Sequence, residues 1–399
     1  MKVLIYSAMP VFPTDYGGAV RVFNVAESLS KRGVKVILVS PGMEDPKNNK
    51  GSESVRYVFF TPFLSFLYQK IKLVCRLKYL LLFFFFFKEF FLLRKIALEE
   101  SKTEKLVLQS EYLYSAAPLY LLKKIYGFPL IITQHNVEAK TAYEINKNKL
   151  YYQTLRIIEK FFLKRCDYIV AVSETDKTLI QKEYSIPNDK IVVIPNSTKI
   201  PEVTTELIEC TSKIRNNLGI NKEDNVIVFV GTLNYAPNLT AVKIITENIY
   251  PNVKVKIPNL KILIVGKGTE PKRVQDIIFT GVVEAVDPYL QMADVAIAPL
   301  TQGGGTRLKI LEYMSFGKPV VSTSKGAEGL DIKDEENILI SDRWDDFSNK
   351  VLDILVDPAK GSRIGVSGRN LVEDKYSWNK TSENYVNLYK KLLKPHESD

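Results

Sequence analysis

The stretch Gly303-Gly-Gly-Thr-Arg-Leu-Lys-Ile-Leu-Glu312-Tyr-Met-Ser-Phe-Gly317-Lys-Pro-Val-Val-Ser322 reads as a glycine-rich loop, a helix capped by Gly317, and a strand opened by a proline. Glycines at such a junction let the backbone approach an anion, and the helix behind them offers free N–H groups and the positive end of its dipole. Cations are not what a helix N-terminus prefers. Arg307 and Lys309 in the first turns therefore call for a phosphate above them, against the alternative of an arginine that merely reaches solvent.

The same strand and helix alternation extends outward from this stretch. Val226–Val230, Lys261–Val265, Val295–Ala298 and Pro319–Ser322 are short apolar strands separated by helical segments. An earlier array precedes a restart of the pattern after Ile191–Pro195. It opens with Val3–Ser7, then Gly17-Gly18, a helical stripe of Val22, Ala26 and Leu29, a stop at Arg32-Gly33, and a strand at Lys35–Val39. Leu106–Gln109, Pro129–Thr133 and Tyr168–Val172 continue it. Two successive arrays predict an α/β fold of two Rossmann-like, doubly wound parallel-sheet domains. The expected boundaries are 1–195 and 196–375, with a helix over 376–393 returning to the first domain. Ligands in such sheets bind beyond the carboxyl ends of the strands. The loops Gly17-Gly18, Gln134-His135-Asn136, Gly231–Asn234, Gly266-Lys267-Gly268 and Gly303–Thr306 are then expected to face one central cleft.

A chain of 399 residues with 46% hydrophobic and 25% charged residues is globular and large enough for two cores. The three cysteines, Cys75, Cys166 and Cys210, have no CxxC spacing, which argues against a disulfide framework or a zinc site. Met1-Lys-Val-Leu-Ile-Tyr-Ser reads as a first strand, not a secretory leader, so a reducing, cytoplasmic setting is expected. The net charge of +10 is unevenly spread, +12 over residues 1–200 and −2 over the rest. Two readings stand: an anionic partner of the first half, or a basic solubilising surface. Tyr79–Leu93, YLLLFFFFFKEFFLL, is too short for a membrane span and is broken by Lys88-Glu89. With Lys70, Lys72, Arg76, Lys78, Arg94 and Lys95 around it, it reads either as an interfacial helix giving residues 70–95 a peripheral contact with an anionic membrane, or as a core helix. The basic half shows no helix-turn-helix, zinc-finger or RNP pattern, and no nucleic-acid partner is expected.

The ordered motifs resemble glycosyltransferase family 4, the group 1 glycosyltransferases of GT-B fold, over nearly the whole chain. The resemblance rests on Gly303–Ser322 together with Gly17-Gly18, His135-Asn136, Ala171–Glu174, Ile194–Asn196, Val230-Gly231, Val265–Gly268, Phe279–Val283 and Ala293-Asp294. It implies a retaining enzyme that moves a sugar from a nucleotide-sugar donor to a glycan or lipid-linked glycan, by front-face displacement assisted by the leaving phosphate. In such a scheme Glu312 accepts hydrogen bonds from the ribose hydroxyls, Gly281 and Val283 lie beside the nucleobase, Gly18 admits the diphosphate with Gly17 and Gly231 nearby, and His135 contacts the transferred sugar. His135 also stands out unaided, as one of two histidines and the one that directly follows a strand. Neither a cofactor nor a metal is expected, since no compact carboxylate pair stands out.

Two departures from the family pattern are visible. Gly304 occupies the place of a first donor-site glutamate, and the loop Gly231–Asn238 lacks the usual Arg and Lys diphosphate clamp. Backbone N–H groups of Gly304, Gly305 and Thr306 are expected to replace the first, and Arg307 and Lys309, with Lys267 behind them, the second. The GTRLKILE string resembles a subgroup of the family. A sugar-nucleotide epimerase of the same fold, or a catalytically silent partner subunit, are the alternative readings.

Overall fold

The computed structural model describes residues 1–12, 14, 17–42, 55–60, 75–302 and 308–394, with side chains left aside at 75–86 and 144–146. The chain divides into two compact units, one of Met1–Pro195 with the segment from Trp378 onward, the other Asn196–Ser377.

The first unit is built on seven strands: β1 (Lys2–Ser7), β2 (Lys35–Pro41), β3 (Val55–Phe60), β4 (Leu106–Glu111), β5 (Leu130–Gln134), β6 (Tyr168–Ala171) and β7 (Ile191–Val193). Their order is 3-2-1-4-5-6-7, and every pairing is parallel. β1 and β5 are largely apolar and buried throughout, as strands covered by helices on both faces require. Val3 and Ile5 point to one side, where Val22, Val25, Ala26 and Leu29 of the helix Gly17–Lys31 meet Tyr385, Leu388 and Tyr389 of the helix Trp378–Leu393. Leu4 and Tyr6 point to the other, against Leu93, Leu119, Leu122 and Leu163. Each fully buried aliphatic side chain contributes about 1.5–3 kcal/mol.

The aromatic-rich segment lies in the helix Cys75–Glu100. Phe90, Leu93, Ile96 and Ala97 are buried in the first unit, whereas Phe91 is 58% exposed. The core reading therefore holds for one face of residues 90–97, and the side chains before Phe87 lie outside those described. Among the described residues no helix is long and apolar enough to cross a membrane.

The second unit repeats the topology with β8 (Asn225–Val230), β9 (Leu260–Val265), β10 (Lys272–Val274), β11 (Ile277–Gly281), β12 (Val295–Ala298), β13 (Val320–Ser322) and β14 (Leu339–Ile340), in the order 10-11-9-8-12-13-14. One strand departs from the all-parallel expectation. β10 pairs antiparallel with β11, since only Gln275 and Asp276 join them and so short a link permits no crossover; Gln275 takes the required positive φ of 54°. Tyr376 and Ser377 stay with this unit, ahead of the last helix, because the Tyr376 carbonyl accepts from Thr198 N–H at 2.8 Å and its hydroxyl from Asp331 N–H at 2.7 Å.

A stripe of small residues seats the helix that carries Glu312. In the helix Pro358–Lys375, Gly361, Gly365 and Gly368 are buried on one face. A Cβ at Gly365 would lie 2.0 Å from the Gly317 carbonyl oxygen, and one at Gly368 would lie 3.2 Å from Met314 Cγ. The turn that ends Leu308–Ser315 thus rests directly on glycine backbone.

Candidate functional site

In each sheet the chain reverses its direction of winding beside the first strand, between β1 and β4 in one unit and between β8 and β12 in the other. The carboxyl ends of those strands open the crevices where doubly wound sheets take ligands.

In the first unit Ser7 and Glu111 are register partners at the ends of β1 and β4. Gly17 and Gly18 are not a loop ahead of the following helix, as the sequence suggested; they form its first turn. Lacking side chains, they add nothing over the N–H groups of that turn. His135, directly after β5, is 9% exposed and its Nε2 lies 2.7 Å from Glu111 Oε2. Its ring stacks on Tyr112, with centroids 4.1 Å apart and planes inclined by 17°. Burial pushes the imidazole below its usual range, and the Arg21 charge adds to this while Glu111 opposes it. Burial thus favours the neutral imidazole, which offers one donor and one acceptor.

Tyr112 carries the strain of this site. Its backbone adopts φ 69° and ψ 159°, a region populated almost only by glycine, at a cost of about 1–3 kcal/mol. Three hydrogen bonds hold it there: Tyr112 N–H donates to Thr133 O at 3.2 Å, while its carbonyl accepts from Ser110 Oγ at 3.0 Å and Ser115 N–H at 3.3 Å. Behind the loop, buried Glu159 accepts from Gln134 Nε2 at 2.8 Å and from the N–H groups of Glu138 and Ala139 at 3.1 Å. That carboxylate pins both sides of His135. Arg21, fully buried, donates to the carbonyls of Pro195 at 2.7 Å and Ile194 at 2.8 Å.

In the second unit the loops after β8 and β9 interlock through glycines. A Cβ on Gly231 would fall 2.7 Å from Asn238 Nδ2, and one on Gly266, at φ +141°, would fall 2.3 Å from the Gly231 carbonyl oxygen. Leu233 N–H donates to the Lys267 carbonyl at 2.7 Å, with the Lys267 side chain exposed. Gly281, at φ +68°, packs against Pro271, and Val283 is half-buried beside it. Lys309 Nζ donates to Asn238 Oδ1 at 2.9 Å and lies 4.3 Å from the centre of the Phe229 ring. The lysine thereby braces the helix Leu308–Ser315 to the Gly231–Asn238 loop.

Glu312 lies one turn further along. Its carboxylate is half-buried and accepts no hydrogen bond from a described residue. Burial, reinforced by Asp287 and opposed by Lys309, pushes it up to about 7. Gly303–Arg307, which include Gly304, Gly305, Thr306 and Arg307, lie outside the described residues. Among the described residues no group of histidine, cysteine, aspartate and glutamate is placed to hold a metal ion.

The glycine signature pointed to Glu312 and Lys309, but not to Glu111, Tyr112, Glu159 or Asn238. An acidic residue ending a strand beside β1 was the available signal for Glu111, and it needs the strand order to be read.

Residues 16–199 match the family model described as Glycosyltransferase Family 4, and residues 224–357 match that of Glycosyl transferases group 1. The chain belongs to this glycosyltransferase family. An uncharacterized glycosyltransferase, MJ1069 of Methanocaldococcus jannaschii, is 26% identical over 261 residues, covering 62% of this chain and 64% of that protein, so the chain spans just under two thirds of that relative's length. The glycosyltransferase family chain also superposes on solved structures of GT-B fold. Sucrose-phosphate synthase from Thermosynechococcus elongatus gives a TM-score of 0.72 at 17% identity, covering 98% of this chain and 99% of the other. Anabaena HepE in complex with UDP and glucose gives 0.70 at 14% identity, covering 98% and 100%.

Proposed function

We propose that this family 4 chain is a retaining glycosyltransferase that moves a sugar from a nucleotide-sugar donor to a glycan or lipid-linked glycan acceptor. The observation that carries the reading is Glu312, a half-buried carboxylate without a described hydrogen-bond partner, on the helix that opens beyond β12 at the switch point. A desolvated carboxylate is costly unless a ligand satisfies it, and the vicinal hydroxyls of a ribose donate to its two oxygens. The complex of HepE with UDP and glucose supports a donor of this class.

In the displacement, the bond from the sugar's anomeric carbon to the phosphate oxygen breaks as the acceptor oxygen bonds on the same face. The acceptor's proton passes to the leaving phosphate oxygen. The protein orients both reactants and meets the growing diphosphate charge with N–H donors and cations, here Arg307 and Lys309. His135 orients the transferred sugar. No enzymic nucleophile is required.

The acceptor reading includes peripheral contact with anionic membrane through residues 70–95 on the cytoplasmic face. Exposed Phe91, paired with Phe87 at 6.3 Å, and the neighbouring Lys88 support it. Flotation with liposomes containing anionic lipid tests it, and a Phe91→Ser chain that floats as well as the parent removes the support.

The deciding experiment is a thermal-shift and donor-hydrolysis screen of the purified chain across UDP-, GDP- and other nucleotide-sugars, followed by NMR of the product's anomeric configuration. A free altered sugar nucleotide made without any acceptor would mark an epimerase instead. Binding to no donor would mark a silent partner subunit.

A further inference from the structure

Within the first unit a buried hydrogen-bond chain runs from the last helix to the site histidine. Tyr389 Oη lies 2.5 Å from Gln109 Oε1, Gln109 Nε2 lies 2.6 Å from Glu111 Oε1, and Glu111 Oε2 lies 2.7 Å from His135 Nε2. Tyr389, Gln109 and Glu111 are all at most 1% exposed, so water does not compete for these bonds.

The direction of every bond follows from one group. A carboxylate only accepts, so Glu111 turns the amide nitrogen of Gln109 toward itself and leaves Gln109 Oε1 to Tyr389, whose hydroxyl must then donate. On its other oxygen Glu111 accepts the Nε2–H of His135. We infer that Tyr389, Gln109 and Glu111 form a positioning relay that locks His135 as its Nε2–H tautomer, leaving Nδ1 as a hydrogen-bond acceptor for a hydroxyl of the bound sugar or acceptor. Nδ1 makes no hydrogen bond to a described residue. The stacked Tyr112 ring fixes the plane of the imidazole, and the relay fixes which nitrogen carries the proton. Burial, which disfavours the imidazolium, leaves only the two neutral tautomers to choose between.

The role given to Nδ1 rests on the glycosyltransferase reading, but the tautomer does not. The chain holds two histidines, so selective 15N-histidine labelling of the full protein yields two imidazoles, and His396→Gln leaves only His135. Multiple-bond 1H–15N correlation of the donor-free protein is expected to show the Nε2–H pattern at neutral pH. Glu111→Gln places an amide donor within reach of Nε2 and is expected to convert the ring to the Nδ1–H form or to a mixture. Tyr389→Phe, which removes one hydroxyl and keeps the packing, is expected to weaken the preference without unfolding. With a donor identified, Glu111→Gln lowers kcat about 10–100-fold, with a smaller effect on donor KM. An Nδ1–H or averaged pattern in the parent, or a pattern unchanged in both variants, overturns the relay. A correct tautomer with no donor turned over leaves the relay standing and rejects the function.

Discussion

Tyr112 lies flat against His135 while its own backbone holds a conformation that suits glycine, so the side chain is kept where the main chain is strained. Strain of that kind persists only where its surroundings over-determine it, and here it aims an aromatic plane at the site histidine. Tyr112→Gly should relieve about 1–3 kcal/mol of strain while losing about 1.5–3 kcal/mol of ring burial, leaving stability little changed. Tyr112→Ala loses the ring and keeps the strain. Urea unfolding should therefore rank glycine above alanine at this position by about 1–3 kcal/mol, with transfer reduced at least about tenfold in both. Alanine as stable as glycine would contradict the strained geometry.

Glu312 predicts two opposed pH dependences. Because its folded value is raised from 4.5 to about 7, the folded state binds more protons than the unfolded one between those limits, and stability falls as pH rises through that window. Glu312→Gln should therefore melt higher than the parent at pH 8, with the gap closing toward pH 5. Ribose hydroxyls donate to the ionised form, so donor affinity of the parent should rise from pH 6 to pH 8, and the variant should lose both this rise and about 10–100-fold in affinity. Titration calorimetry at the two pH values measures it.

Lys309 joins the helix Leu308–Ser315 to the Gly231–Asn238 loop and also carries charge, and the proposed mechanism gives Arg307 a charge toward the diphosphate. Lys309→Ala should lower the melting temperature by about 2–4 °C per kcal/mol of lost bracing and lower kcat as well. Arg307→Ala should lower kcat. Scanning calorimetry beside initial rates measures both effects, and near-parent rates in both variants would remove the relocated diphosphate clamp.

Glycine to alanine inside a helix ordinarily stabilises by up to about 1 kcal/mol. At Gly365 the sign should reverse, because the added methyl meets the Gly317 carbonyl oxygen at 2.0 Å and must push the Glu312 helix away. A net loss of about 1–3 kcal/mol in chemical denaturation is expected, together with weaker donor binding. An unchanged or raised midpoint would show that the helix Pro358–Lys375 does not buttress the site.

The amino-acid sequence by itself determined the two βα arrays, the break after Pro195 and the helix bearing Lys309 and Glu312. These are local facts: an apolar run buried on both faces marks a strand, and glycines at Gly303–Gly305 and Gly317 mark where a helix starts and stops. Tertiary structure decided which ends meet. Only the order 3-2-1-4-5-6-7 places Glu111 beside β1 and within reach of His135, and only the return of the last helix brings Tyr389 to Gln109, 280 positions away. Likewise the strain at Tyr112, the amide that holds Lys309 and the glycine seat under Gly317 leave no periodic mark, because each depends on atoms from distant segments arriving at one point. Hydrophobic alternation records which face a residue turns to the core. It does not record which neighbour waits there.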